Sequence, residues 1–164
     1  MKTREISVIL LNIRSSQNVG AIFRTADAAG ASKLYLVGYT PAPVDRFGRK
    51  NTELIKASLG AEAYVAWEQR KEITELITEL KKERVRIVAV EQSPTSLPYM
   101  GVRWGGGMAF IFGNEVEGIP KNVLTACDAV IEIPMRGKKE SLNVSVAAGI
   151  VLFKVAEAFD NQKS

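Results

Sequence analysis

Three short stretches hold the side chains best suited to chemistry. Asn18-Val-Gly-Ala-Ile-Phe-Arg24 sets an amide and a guanidinium six residues apart. On a helix that spacing leaves them about 120° from one another, so they need not face the same way. With Asn12 just upstream and Gly20 allowing close approach, the segment could hold a phosphate or a ribose against a helix N-terminus. The competing reading is a capped helix whose Arg24 pairs with Asp27 or Glu115. Phe112-Gly-Asn-Glu-Val-Glu-Gly118 supplies glycines where a backbone turns tightly or touches a ligand, together with two carboxylates. Ser141-Leu-Asn-Val-Ser145 opens a helix, with Ser141 as the expected cap and Asn143 in its first turn. Capping explains Ser141 well and Asn143 poorly. Imidazole is absent and Cys127 is the only cysteine. That excludes disulfides, ordinary zinc sites, Cys–His nucleophiles and Ser-His-Asp triads.

Each stretch follows an apolar run, and such runs alternate with helical patterns, which predicts βαβ units and a mainly parallel α/β sheet. Six strands are expected, near 6–11, 33–37, 63–67, 86–90, 108–112 and 129–133. Helices are expected over Val19–Ala29, with Asn18 as N-cap and Gly30 past the end, and over Thr52–Leu59. Residues 71–83 put Ile73, Leu76, Ile77 and Leu80 on one face, as a sheet-covering helix does. A short helix over Pro120–Ala126 and a last one over Ser141–Phe159 complete the set. The last is apolar nearly all round between Val144 and Phe153, which predicts a second buried surface, either a subunit interface or burial within the monomer. The loops 38–51 and 91–107 are long enough to be functional. Polar loops beyond strand ends of an open α/β sheet can converge on one crevice.

With 164 residues, the chain suits one domain that buries roughly 70% of its unfolded surface. The longest apolar stretch is too short to cross a bilayer, and the charged start Met1-Lys-Thr-Arg-Glu5 has no signal-peptide core, so a cytoplasmic protein is expected. The net charge is +4, and residues 1–60 hold nine Lys/Arg against four Asp/Glu. Arg14, Arg24, Arg46, Arg49, Lys50 and Lys56, with Arg136, Lys138 and Lys139, fall in or near expected loops. That suits a polyanion such as RNA, or else an ordinary solvated surface. No segment has GxGxxG spacing or a P-loop ending, which disfavours a nucleotide-diphosphate cofactor and with it a small oxidoreductase.

Taken together, the three stretches resemble the motifs of the SPOUT superfamily of RNA methyltransferases, in its SpoU/TrmH branch of ribose 2'-O-methyltransferases. Motif one resembles Asn18 to Gly30, motif two Phe112-Gly-Asn-Glu115 with Gly118, and motif three Ile131 to Met135 followed by Ser141 to Ser145. Ala57-Ser-Leu-Gly-Ala61 also looks like the family.

The resemblance implies a Rossmann-like sheet with helices on both faces, a C-terminal deep trefoil knot and a homodimer. It implies S-adenosylmethionine bound by Val90, Glu91, Gly113, Ile133, Ser141 and Leu142, with no metal. Arg24 then corresponds to the catalytic arginine, Asn18 to its partner, Glu115 to the motif-two carboxylate, and Ser141 and Asn143 to the polar pair. A guanidinium keeps its proton, so Arg24 is expected to stabilise the alkoxide while water or an RNA phosphate takes the proton. Arg14, Arg46, Arg49, Lys50, Arg136, Lys138 and Lys139 are the expected contacts to tRNA or rRNA. With strand one near residue 6, the resemblance is to a minimal catalytic domain without an added RNA-binding domain. An RNA-binding or assembly factor that shares the fold but transfers no methyl group is the alternative.

Overall fold

In the computed structural model, residues 4–164 are described. The reading of the charged start therefore falls partly on residues 1–3, outside the described residues. The elements run β1 (Ile6–Leu11), α1 (Ser16–Ala29), β2 (Lys33–Val37), α2 (Thr52–Ser58), β3 (Ala66–Arg70), α3 (Ile73–Lys82), β4 (Arg86–Val90), β5 (Leu97–Pro98), β6 (Met108–Phe112), α4 (Lys121–Ala126), β7 (Ala129–Glu132) and α5 (Val144–Asn161). All seven strands join one sheet in the order β3-β2-β1-β6-β4-β7-β5, and every ladder is parallel.

Both faces of the sheet are covered, so its central strands read as continuous apolar runs. The pleat sends successive residues to opposite sides. Val8, Leu10, Phe110 and Phe112 pack with Val19, Ile22 and Phe23 of α1 and with Val151, Leu152 and Val155 of α5. Ile9, Leu11, Ile87 and Ile111 pack with Ile73, Leu76, Ile77 and Leu80 of α3 and Val123 of α4. Burying a side chain of this size contributes about 1.5–3 kcal/mol, so the two layers together provide a large stabilising term.

The structure departs from expectation in four places. A seventh strand, the two-residue β5, pairs with β7 and ends the sheet. β3 starts at Ala66 and not near residue 63, because Gly60 at φ 91° opens a 3-10 turn over Ala61–Ala63. The apolar run there contributes a buried Val65, while the edge strand itself is Ala-Trp-Glu-Gln-Arg. α1 begins at Ser16 with Ser15 as its cap, so Asn18 lies inside the first turn. α5 begins at Val144, and its cap is Asn143, whose side chain accepts from the Ser145 N–H; Ser141 lies outside the helix.

α5 buries Ala148, Val151, Leu152, Val155 and Phe159 within the protomer, yet Val146 and Phe153 are each 50% exposed. Burial inside the protomer thus accounts for one face of this helix and not the other. No helix among the described residues is long and apolar enough to cross a membrane.

Candidate functional site

The sheet order decides where the site forms. β6, β4 and β7 are far apart in the chain but adjacent in the sheet, so their carboxyl ends lie side by side. Beyond those ends lies a cavity of about 750 Å³. Its floor and walls come from Val90–Gln92 after β4, Phe112–Val116 and Gly118 after β6, and Glu132, Ile133 and Met135 after β7. Glu140–Val144 and Ala147, at the approach to and start of α5, close it, and Asn18 of α1 reaches its edge.

All six residues expected to hold a cofactor, Val90, Glu91, Gly113, Ile133, Ser141 and Leu142, line this one cavity, as do Asn18, Glu115 and Asn143. The geometry gives several of them work that their residue types do not announce. Glu115 Oε1 accepts from the Arg14 N–H at 2.9 Å and Oε2 from the Ser15 N–H at 3.0 Å. Its carboxylate therefore sits at the start of α1, where the helix dipole favours negative charge. A protein carboxylate thus holds the two main-chain N–H groups just before α1, next to the helix start where a phosphate or ribose was expected. Gly20, expected to approach a ligand, instead approaches α2: a Cβ there would clash with the Leu54 carbonyl oxygen and lie 2.7 Å from Ala57 Cβ.

Asn143 Nδ2 donates to Asn18 Oδ1 at 3.2 Å, which ties the first turn of α1 to the cap of α5 across the cavity edge. Asn18 is free to accept this bond because Ser15, not Asn18, caps α1. Asn114, which residue type alone did not single out, is buried and fully bonded. Its Nδ2 donates to Asn12 O and Tyr39 Oη, both at 2.9 Å, while its Oδ1 accepts from the Val116 and Glu117 N–H groups at 2.9 and 2.8 Å. Asn12, in turn, has φ 54°, and its Oδ1 accepts from the Tyr39 N–H at 3.2 Å. Two asparagines at strand ends were the available signal. Glu91 was legible only through the family resemblance; its Oε2 accepts from the Ile119 N–H at 2.9 Å. Gly118, at φ 69°, leaves no room for a Cβ beside that carboxylate.

Arg24 stands apart. It is exposed on α1, does not line the cavity, and takes part in no ion pair among the described residues, with neither Asp27 nor Glu115 paired to it. The other expected basic residues, Arg14, Arg46, Arg49, Lys50, Arg136, Lys138 and Lys139, are all exposed and also lie outside the cavity wall. Those of the 38–51 loop and of the segment after β7 leave the sheet at its carboxyl edge, as the cavity does.

The wall itself is acidic. Glu91, Glu115, Glu132 and Glu140 line it, with no lysine or arginine among them. Such a pocket disfavours a nucleoside polyphosphate and suits a ligand that carries positive charge next to apolar surface, here Val90, Ile133, Leu142 and Met135. No group of three or more His, Cys, Asp or Glu side chains able to hold a metal ion occurs among the described residues.

Comparison with known proteins agrees with this geometry. Residues 5–153 match the SpoU rRNA Methylase family. A 23S rRNA (guanosine-2'-O-)-methyltransferase from Ralstonia nicotianae is 33% identical over 147 residues, 90% of this chain and 56% of that protein. A tRNA (guanosine(18)-2'-O)-methyltransferase from Borreliella burgdorferi is 29% identical over 94% of the chain and 67% of its own length. The crystal structure of an AdoMet-bound rRNA methyltransferase from Sinorhizobium meliloti superposes with a TM-score of 0.84 at 30% identity, covering 96% of this chain and 57% of that one. The chain thus spans little more than half the length of the Ralstonia and Sinorhizobium proteins. With motif, sheet order and cavity all in agreement, the chain belongs to the SpoU rRNA methylase family.

Proposed function

We propose that this chain transfers a methyl group from S-adenosylmethionine to a ribose 2'-hydroxyl of tRNA or rRNA. The single observation that carries the reading is the convergence of three strand ends on a cavity that is acidic within and flanked by basic loops. The residues present fit the cofactor. The volume is ample for it, the wall offers apolar surface for an adenine ring, and four carboxylates give the cavity a negative potential that suits a net-cationic sulfonium. The cofactor supplies an electrophilic methyl carbon; this chain supplies orientation and charge. Val90, Glu91, Gly113, Ile133, Ser141 and Leu142 hold the donor. Glu115 positions the start of α1, and the Asn143–Asn18 bond fixes that helix against the cavity edge.

Arg24 is the residue that stabilises the attacking oxygen and the neighbouring phosphate by charge-assisted hydrogen bonds, while water or a phosphate oxygen takes the proton. Because Arg24 lies outside the wall of its own protomer's cavity, it serves a second copy. This supports a homodimer, as do Val146 and Phe153 on the uncovered face of α5. The strand order supports the knot: β7 lies between β4 and β5, which are consecutive in the chain.

Calorimetric titration with S-adenosylhomocysteine, followed by transfer of labelled methyl to bulk tRNA and rRNA, tests the reading. Binding together with a labelled 2'-O-methylnucleoside is expected; absence of both overturns it, and RNA binding without cofactor binding identifies an assembly factor instead. Arg24→Ala should lower turnover about 10²- to 10³-fold while leaving S-adenosylhomocysteine affinity unchanged. Retained turnover in Arg24→Lys assigns the role to charge alone; loss in both variants assigns it to the geometry of the fork or to proton transfer.

A further inference from the structure

The loop between β2 and α2 presents a phenyl ring that neither the core nor the cavity uses. Phe47 is 67% exposed. The Arg46 and Arg49 guanidinium carbons lie over its ring, 4.7 and 5.1 Å from the centroid, so an exposed aromatic ring carries two cations.

This arrangement is built and held. Asp45 Oδ1 accepts from the Phe47 and Arg49 N–H groups, each at 2.9 Å, and Asp45 Oδ2 accepts from Arg49 Nε at 2.8 Å. The main-chain bond from Arg49 is the largest of the effects that hold the Asp45 carboxyl below the usual carboxylate range. Val44 and Lys50 form an antiparallel bridge across the base of the turn, and Gly48 turns the chain at φ 76°. The roots of the loop are fastened at the cavity: Asn114, a wall residue, donates to Tyr39 Oη at 2.9 Å, and Asn51 Nδ2 donates to Ser16 Oγ at 2.9 Å at the start of α1. Ring and cavity thus belong to one frame, at the same edge of the sheet.

An exposed phenyl ring carrying two guanidinium groups matches an unstacked nucleobase, which stacks on aromatic rings and guanidinium planes alike while its phosphates meet the charge. Duplex RNA offers the phosphates but no free base face. We infer that the turn formed by residues 44–50 is a stacking platform for an unpaired nucleotide of the same RNA whose ribose enters the cavity. The inference rests on the RNA-modifying reading above and adds to it that the substrate is single-stranded near the modified position.

The test uses the full chain with two probes of similar charge, a twelve-nucleotide oligoadenylate and a blunt-ended, self-complementary G·C RNA duplex of six base pairs, followed by fluorescence anisotropy. Phe47→Ala should weaken oligoadenylate binding about tenfold and duplex binding by less than twofold, while Phe47→Trp retains wild-type affinity for both. Arg46→Gln with Arg49→Gln should weaken both probes and flatten the salt dependence. Equal affinities of wild type and Phe47→Ala for oligoadenylate overturn the inference. So does a change of particle mass in Phe47→Ala by light scattering, which would make the turn a contact between copies. Phe47 is exposed, so its variants should melt with the wild type, and thermal scans check this. S-adenosylhomocysteine binding and methyl transfer by the wild type separate the two failures. If the wild type methylates RNA and Phe47→Ala binds oligoadenylate normally, only the platform falls. If the wild type neither binds the cofactor product nor methylates, the enzymatic reading falls too.

Discussion

The two halves of the sheet obey different rules. From β1 to β3 the order in space follows the order in the chain, each strand lying beside its predecessor. There, small and polar residues serve packing: Gly20 lets α1 meet α2, and Asn51 caps α2 by accepting from the Leu54 N–H. From β4 onward each return of the chain inserts a strand inside the sheet, β6 between β1 and β4, then β7 between β4 and β5. The same residue types now line a cavity. Glycines Gly113 and Gly118 let loops fold over one another, and asparagines Asn114 and Asn143 join loop to loop and helix to helix. The cavity is therefore a consequence of strand order: three distant segments end side by side, so their polar loops close a site no single motif contains.

If this contrast is right, a methyl group added in the first half should damage the whole fold. Gly20→Ala forces a Cβ against the main chain of α2, whose Leu54 carbonyl cannot rotate away as a side chain would. We expect a loss of about 3 kcal/mol, at the upper end for overpacking, and a fall of roughly 6–12 °C in Tm for a chain of this size. Thermal unfolding by circular dichroism measures it. A Tm within 2 °C of wild type would mean that α1 and α2 are not closely packed, and the contrast between the halves would fail at its firmest point.

The regular elements of both halves were legible in sequence. The apolar face of α3 was read residue for residue, Ile73, Leu76, Ile77 and Leu80, because a sheet-covering helix repeats its buried positions at three and four. β1, β2, β4 and β6 were read to the residue because strands covered on both faces are apolar throughout. β3 was misplaced because an edge strand with half-buried Glu and Arg and exposed Ala and Gln carries little such signal. β5 escaped because two residues make no pattern. In the site, the residue types were visible but their assignments were not. Asn18 and Asn143 looked like cap and first-turn residue, and the structure reverses them, since capping depends on backbone φ and ψ that side-chain type only biases. The adjacency of β6, β4 and β7 depends on strand insertion, which no local periodicity encodes, and only the family resemblance drew Val90 and Glu91 into the same site.

In the second half the same kind of substitution should leave the fold standing and impair binding. At Gly118 a Cβ would overlap the Glu91 carboxylate, a side chain able to swing away, and φ 69° adds backbone strain. Gly118→Ala should cost about 1 kcal/mol of stability. Its larger effect is to displace Glu91 from the Ile119 N–H and move the cavity wall, so we expect S-adenosylhomocysteine affinity to fall about tenfold by calorimetry. Wild-type affinity with a Tm loss matching that of Gly20→Ala would make Gly118 a packing residue and erase the distinction.

The smallest effect tests whether the second half is open throughout or only at its cavity edge. On its other face, α4 and the residues after it pack against α3 in the second apolar layer. Cys127 lies there, its Sγ donating to Val123 O at 3.2 Å, and burial pushes its thiol up to about 11, only partly opposed by Lys81. Raising a thiol from 9.0 to about 11 lowers the thiolate fraction at pH 8 about a hundredfold. A thiolate of higher pKa is intrinsically more nucleophilic, with a Brønsted slope of about 0.4–0.5, which returns roughly a factor of ten. The folded protein should therefore react with a disulfide reagent at pH 8 about tenfold more slowly than the urea-unfolded chain. Saturating S-adenosylhomocysteine should leave the folded rate unchanged, because the cavity lies beyond the strand ends and Cys127 under the opposite face. A folded rate equal to the unfolded one would mean that this face opens readily. A rate that drops on adding S-adenosylhomocysteine would mean that cavity and packed face move together, and the second half would then have to be treated as one deformable unit.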